Sequence, residues 1–104
     1  MQILFLHNNF PAQFGGLAGH LVDNGWSVWF GTQRSDLSHP SVNTFHYKPH
    51  RDAASDVHPY SATWERAVLN GQSVARAAIE IKNRHNLNPD VIVSHSGWGN
   101  GMYA

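Results

Sequence analysis

The sequence predicts an α/β fold: a partial three-layer sandwich with a mostly parallel sheet in the order 3-2-1-4, ending after the fourth strand. Three observations predict it. An apolar run at residues 2–7 is followed by a helical pattern and a second apolar run at residues 26–32, the strand-helix-strand unit of a parallel sheet. A long helical pattern then leads into a further buried run, DVIVSH at residues 90–95. The 104 residues suffice for one compact domain and no more.

Each element has a local reason. The first strand is a short apolar run stopped by Asn8-Asn9, and Phe10-Pro11 makes a turn. Residues 12–24 place Phe14, Leu17, Ala18, Leu21 and Val22 at helical spacing, and Asn24-Gly25 stops the helix. WSVWFGT is the second strand. A third short strand is expected at residues 44–47, after a connection so short that its direction stays open. Residues 48–59 form a loop rich in Pro, Asp and His. The longest helix covers residues 60–85, with Trp64, Val68, Ala75 and Ile79 as an apolar stripe broadened by Ala67, Ala78 and Ile81. Tyr60 and Trp64 are expected in the core, and Arg66, Arg76, Lys82 and Arg84 on a solvated face with Glu80–Arg84 as an i,i+4 pair. Gly71, an interior helical glycine, is expected where another backbone packs close. The fourth strand falls at an edge, so a homodimer through that edge is expected at high concentration.

Composition excludes several classes. Lys plus Arg and Asp plus Glu are 7 each, which argues against phosphate-driven nucleic-acid binding and against a polybasic membrane segment. Without cysteine there are no disulfides or thiolate metal sites. Eight histidines raise the question of a metal, but Pro49 breaks the His46/His50 spacing and no HExxH occurs, so no metal and no cofactor are expected. The chain opens on a strand without a basic leader and has no membrane-length apolar run, so a cytoplasmic location is the expectation. Charged residues make up only 13% of the chain, against about 25% in an ordinary soluble domain. Some surface is therefore expected to be covered by a partner or a further segment.

Open parallel sheets bind ligands at strand carboxyl ends, beside the point where strand order reverses. In the order 3-2-1-4 that point lies between strands 1 and 4. The loops there run from His7 to Gly16 and from His95 to Gly101, dense in glycine and polar side chains. Asn9 and Gln13 are candidate substrate-binding residues on the first loop. Gly15 and Gly16, at a helix start, suit close approach of an anion such as a diphosphate, or else simply let the helix lie tight on the sheet. His95 is the candidate catalytic residue, able to hydrogen-bond a sugar hydroxyl or a phosphate oxygen; a strand-end histidine satisfied by backbone is its plainer role. His7 is a weaker candidate that could point away. Gly97 lets Trp98 stack on a sugar ring or cap the core. Neither GxGxxG nor GxxxxGK[ST] occurs, so NAD and P-loop chemistry are disfavoured.

Three stretches in order, MQILFLHNNFPAQF, HPYSATWERAVLNGQSVARA and DVIVSHSGWGNG, resemble glycosyltransferase family 4 of bacteria over essentially the whole chain. The resemblance implies a retaining GT-B enzyme built of two Rossmann-like domains, of which this chain is the N-terminal, acceptor-side one. It implies a nucleotide-sugar donor held mainly by the other domain, and a glycan or lipid-linked acceptor. It matches Gly15 and Gly16 to a glycine pair near the donor diphosphate and His95 to a histidine near the transferred sugar. In the broad family that pair often follows a proline-type turn by two residues, whereas Ala12, Gln13 and Phe14 intervene here. The family's E-x7-E pair is not found, and this chain alone is expected to be inactive. A non-catalytic α/β ligand-binding module and a GT-B nucleotide-sugar epimerase are the alternatives. In the whole enzyme, peripheral association with the inner membrane is compatible with the resemblance.

Overall fold

A computed structural model describes residues 1–37 and 39–104. Four strands, β1 (Gln2–Leu6), β2 (Ser27–Thr32), β3 (Asn43–His46) and β4 (Val91–Ser94), form one sheet in the order β3-β2-β1-β4. Every neighbouring pair is parallel, and this settles the direction of β3: Thr32 pairs with His46 and Trp29 with Asn43. Strands β1 and β2 are near-continuous apolar runs because both faces of the sheet are covered there. Side chains alternate along β1. Leu4 and Leu6 join Trp29, Phe45, Val74 and Leu87 on one face. Ile3 and Phe5 join Phe10, Ala18, Val28 and Phe30 on the other. Phe5 and Phe30 are fully buried, each contributing on the order of 1.5–3 kcal/mol.

Helix α1 (Gly15–Asp23) covers the second face, with Leu21 and Val22 packed on it. It begins later than residue 12, because Ala12–Phe14 form a 3-10 turn in which the Phe14 amide donates to the Pro11 carbonyl, and Ala12 has a φ of 50°. Helix α2 (Pro59–His85) covers the first face. The His58 imidazole caps it by accepting from the Tyr60 amide, Pro59 fills the first turn, and left-handed Asn86 ends it. The Glu80–Arg84 pair forms at 2.8 Å.

The buried face of α2 differs in part from the expected stripe, although Ala78 and Ile81 pack on the core as expected. Leu69, Asn70, Gly71, Ser73 and Val74 are buried, whereas Tyr60, Trp64 and Ile79 lie in solvent, Trp64 at 72% exposure. The reason is backbone contact. A Cβ on Gly71 would lie 2.8 Å from the Gly99 carbonyl oxygen, so α2 presents its smallest residue, not its largest, to the turn after β4. Strand β4 lies at the sheet edge with Val91 and Ile92 exposed. Among the described residues, no helix is long and apolar enough to cross a membrane.

Candidate functional site

The carboxyl ends of the four parallel strands share one rim, and β1 and its neighbour at the sheet edge, β4, each run into a histidine. The His7 amide donates to the Gly31 carbonyl and the His95 amide to the Leu6 carbonyl, extending the sheet by one residue on each side. Their rings meet with centroids 4.9 Å apart. Trp98, in a 3-10 turn at Ser96–Trp98, stacks on His95 at 4.4 Å and meets His7 edge-on at 4.9 Å. The His7 ring also meets Phe14, the residue that opens α1, at 5.8 Å. A chain of aromatic contacts thus joins the start of α1 to the turn after β4. A Cβ at position 97 would come within 2.9 Å of the His95 ring, so a larger residue there would displace that ring.

Backbone contacts set the tautomers. Nδ1 of His7 accepts from the Asn9 amide at 3.0 Å, and Nδ1 of His95 from the Gly97 amide at 3.1 Å. Each neutral ring therefore carries its proton on Nε2 and can donate from it. Burial, and then the neighbouring His95, hold the His7 imidazole below its ordinary pKa, so it favours the neutral form.

Beside the histidines lies a knot of amides. The Asn8 Oδ1 accepts from Tyr47 Oη at 2.8 Å, Asn100 Nδ2 at 2.9 Å, Asn70 Nδ2 at 3.2 Å and, weakly, Gln33 Nε2 at 3.4 Å. Gln33 also donates to Asn70 Oδ1 at 2.8 Å, and Asn70 to the Trp98 carbonyl at 2.9 Å. Asn100 donates to Tyr47 Oη as well. Asn100 is fully buried, and its Oδ1 has no partner among the described residues. Burial pushes the Tyr47 hydroxyl far up, so it stays protonated and keeps donating.

Two cavities open near this rim. One, of about 310 Å³, is lined by Asn8, Gln33, Asn70, Gly97 and Trp98 on one side and by α2 and the loop before it on the other. Two ion pairs fasten that loop to α2: Arg51 to Glu65 at 2.7 Å and Arg66 to Asp52 at 2.8 Å. These hydrogen bonds hold both carboxyls below the usual range. The other cavity, of about 490 Å³, is mainly apolar and lies between α1 and the segment after β2, against Phe10, Ala18, Val22 and Phe30.

The residues singled out in the sequence divide between these features. Gly97 and Trp98 line the first cavity, and His95 reaches it through the Trp98 ring. Gly15 lines the second and packs on Pro11; Gly16 is exposed, with open space around it. Gly15, Gly16 and His95 therefore share a rim, but the glycine pair and the Gly97-Trp98 turn do not line one cavity. Asn9 and Gln13 are exposed, and Asn9 engages the site through its amide alone. His7, the weaker candidate, points inward and is 5% exposed. Sequence reasoning missed Asn8, Gln33, Tyr47, Asn70 and Asn100. One signal was present: Asn70-Gly71, two poor helix formers side by side within a helix. Among the described residues, no three histidine or carboxylate side chains gather as a metal site.

A family model described as the glycosyl transferase family 4 group matches residues 24–104, a span that includes Asn70, His95, Trp98 and Asn100. No curated protein and no solved structure matches the chain.

Proposed function

The chain belongs to the glycosyl transferase family 4 group, and from that premise we propose that it is the acceptor-side domain of a two-domain GT-B glycosyltransferase, transferring a sugar with retention from a nucleotide-sugar donor to a glycan or lipid-linked acceptor. The observation that carries this reading is the His7–His95–Trp98 cluster at the shared carboxyl rim of β1 and β4. Its chemistry suits sugars. A neutral imidazole with its proton on Nε2 donates to a hydroxyl without adding charge, and an indole offers an apolar face to the C–H side of a pyranose. The start of α1, one aromatic contact away, presents the positive end of a helix dipole, which favours the diphosphate of a departing nucleotide. Cytoplasmic placement and self-association through the exposed β4 edge belong to the same reading.

Calorimetry tests it. Titrating the chain with UDP-glucose and GDP-mannose should give no saturation below about 1 mM, a binding free energy weaker than about 4 kcal/mol, because the donor is held mainly by the second domain. Micromolar binding of either nucleotide sugar to these residues alone overturns the acceptor-side assignment.

A further inference from the structure

Resting on the acceptor-side reading, we propose that the cavity between the amide knot and α2 receives one uncharged sugar ring of the acceptor and discriminates against anionic sugars. At about 310 Å³ it displaces roughly ten water volumes of about 30 Å³ each, room for a single ring rather than an oligosaccharide.

Its wall carries donors and acceptors in the mixture that hydroxyls require. Gln33 Nε2 is committed to Asn70 and Asn8, which leaves Gln33 Oε1 as an acceptor with no protein partner among the described residues. Arg66 spends Nε on Asp52 Oδ1, leaving its terminal N–H groups free to donate. Asp52 Oδ1 also accepts from the Ala53 amide, and Oδ2 is left to accept. Vicinal hydroxyls each donate and accept, so they complement such alternating groups. Trp98 lines the same space and is 38% exposed even with His95 stacked on it.

Charge sets the preference. Both cations of the wall already have carboxylate partners, Arg51 with Glu65 and Arg66 with Asp52. A uronate or sugar phosphate would find both guanidinium charges already balanced by carboxylates, with only the terminal N–H groups of Arg66 left to donate, and would meet the Asp52 carboxylate. A neutral ring needs no counter-charge.

The test is an NMR titration of the chain at physiological ionic strength, following the side-chain amide signals of Gln33 and Asn70 and the indole N–H of Trp98. The probes are methyl α-glucopyranoside and methyl α-mannopyranoside, against glucuronate and glucose 6-phosphate. At least one neutral glycoside should shift these signals saturably, with a Kd on the order of millimolar, and the anionic sugars should bind at least about ten-fold more weakly. The double variant Asp52→Asn with Glu65→Gln, at solvent-accessible positions, frees both guanidinium groups and should narrow or reverse that gap. Equal or tighter binding of an anionic sugar by the unaltered chain overturns the proposal, as does an unchanged preference in the double variant. Silence of the cavity signals toward both neutral glycosides also overturns it. Donor calorimetry is blind to this cavity, so the acceptor-side reading stands or falls on that separate measurement.

Discussion

The seat of α2 against the turn after β4 can be tested by making one substitution at two glycines and looking for opposite signs. Gly19 lies within α1, exposed, with nothing within 4 Å of an added Cβ. Alanine there gains helix propensity and restricts the unfolded chain, worth about 0.5–1 kcal/mol. Gly71 lies within α2 and would gain the same amount. Its Cβ, however, would meet the Gly99 carbonyl oxygen at 2.8 Å and Met102 and Tyr103 side-chain carbons at 3.2 Å. The nearest of these is backbone, and the turn holding it is itself fixed by the Met102 amide donating to that carbonyl at 3.1 Å. Gly99 has a φ of 74°, a conformation in which few residues are at ease. Overpacking of this kind costs about 1–3 kcal/mol, which outweighs the propensity gain and leaves Gly71→Ala about 1 kcal/mol less stable than the unaltered chain. At about 4–8 °C per kcal/mol for a domain of this size, thermal unfolding followed by circular dichroism should rise by a few degrees for Gly19→Ala and fall by about 4–8 °C for Gly71→Ala. The Trp98 indole signal should move only in the second variant. If Gly71→Ala unfolds at or above the temperature of the unaltered chain while Gly19→Ala is stabilised, α2 does not seat on that turn and the geometry of the rim is wrong.

Three further outcomes test the packing of this rim and of α2. His7 has its pKa lowered by burial and by His95, so the unfolded chain binds more protons just below pH 6.5 and stability falls as pH drops through that range; His7→Gln should flatten the slope seen in urea unfolding between pH 5 and 7.5, and an unchanged slope rejects the burial of that ring. Asn100→Ala removes donors to Asn8 and Tyr47 from a fully buried position and should cost about 1–3 kcal/mol in the urea midpoint, whereas no measurable loss would mean the knot is not formed. Trp64→Ala, at an exposed position, should change stability by less than about 0.5 kcal/mol and Leu69→Ala by about 2–5; the reverse ranking would show α2 rotated to bury Trp64.

The sheet was legible because its strands leave apolar runs: QILFL and SVWFGT are covered on both faces, and VIVS is a short apolar run at the edge with Val91 and Ile92 exposed. The strand-helix-strand start sets β1 beside β2, and the full order is the expected 3-2-1-4. The direction of β3 was not legible, because a four-residue strand after a short connection fits either sense. Helix α2 misled for a different reason. Hydrophobic spacing finds a buried face only when burial is apolar. Here the face against the rim holds Asn70 and Ser73, whose polar atoms are satisfied by Asn8, by the Trp98 carbonyl and, for the Ser73 hydroxyl, by the Asn70 carbonyl at 2.7 Å. The large apolar letters Trp64 and Ile79 therefore drew attention to the wrong side.

The same property explains why half of the site was visible in the sequence and half was not. His95 and Trp98 sit at a strand end, where chain direction alone places them at the rim. The amide knot depends on convergence from across the sequence. Asn8 follows β1, Gln33 follows β2, Tyr47 follows β3, Asn100 lies past β4, and Asn70 comes from α2. All four of the others donate to the single Asn8 side-chain oxygen. One acceptor is thereby in contact with every loop of the carboxyl rim, and a slip of any strand by one residue would turn its donor to the opposite face of the sheet. Buried amides are costly unless paired, so this arrangement penalises each misaligned strand separately. It holds the floor of the sugar-sized cavity at one geometry while leaving Gln33 Oε1 uncommitted. Rigidity beneath and open hydrogen-bonding groups above are what a site requires if it is to recognise hydroxyls by position rather than by charge.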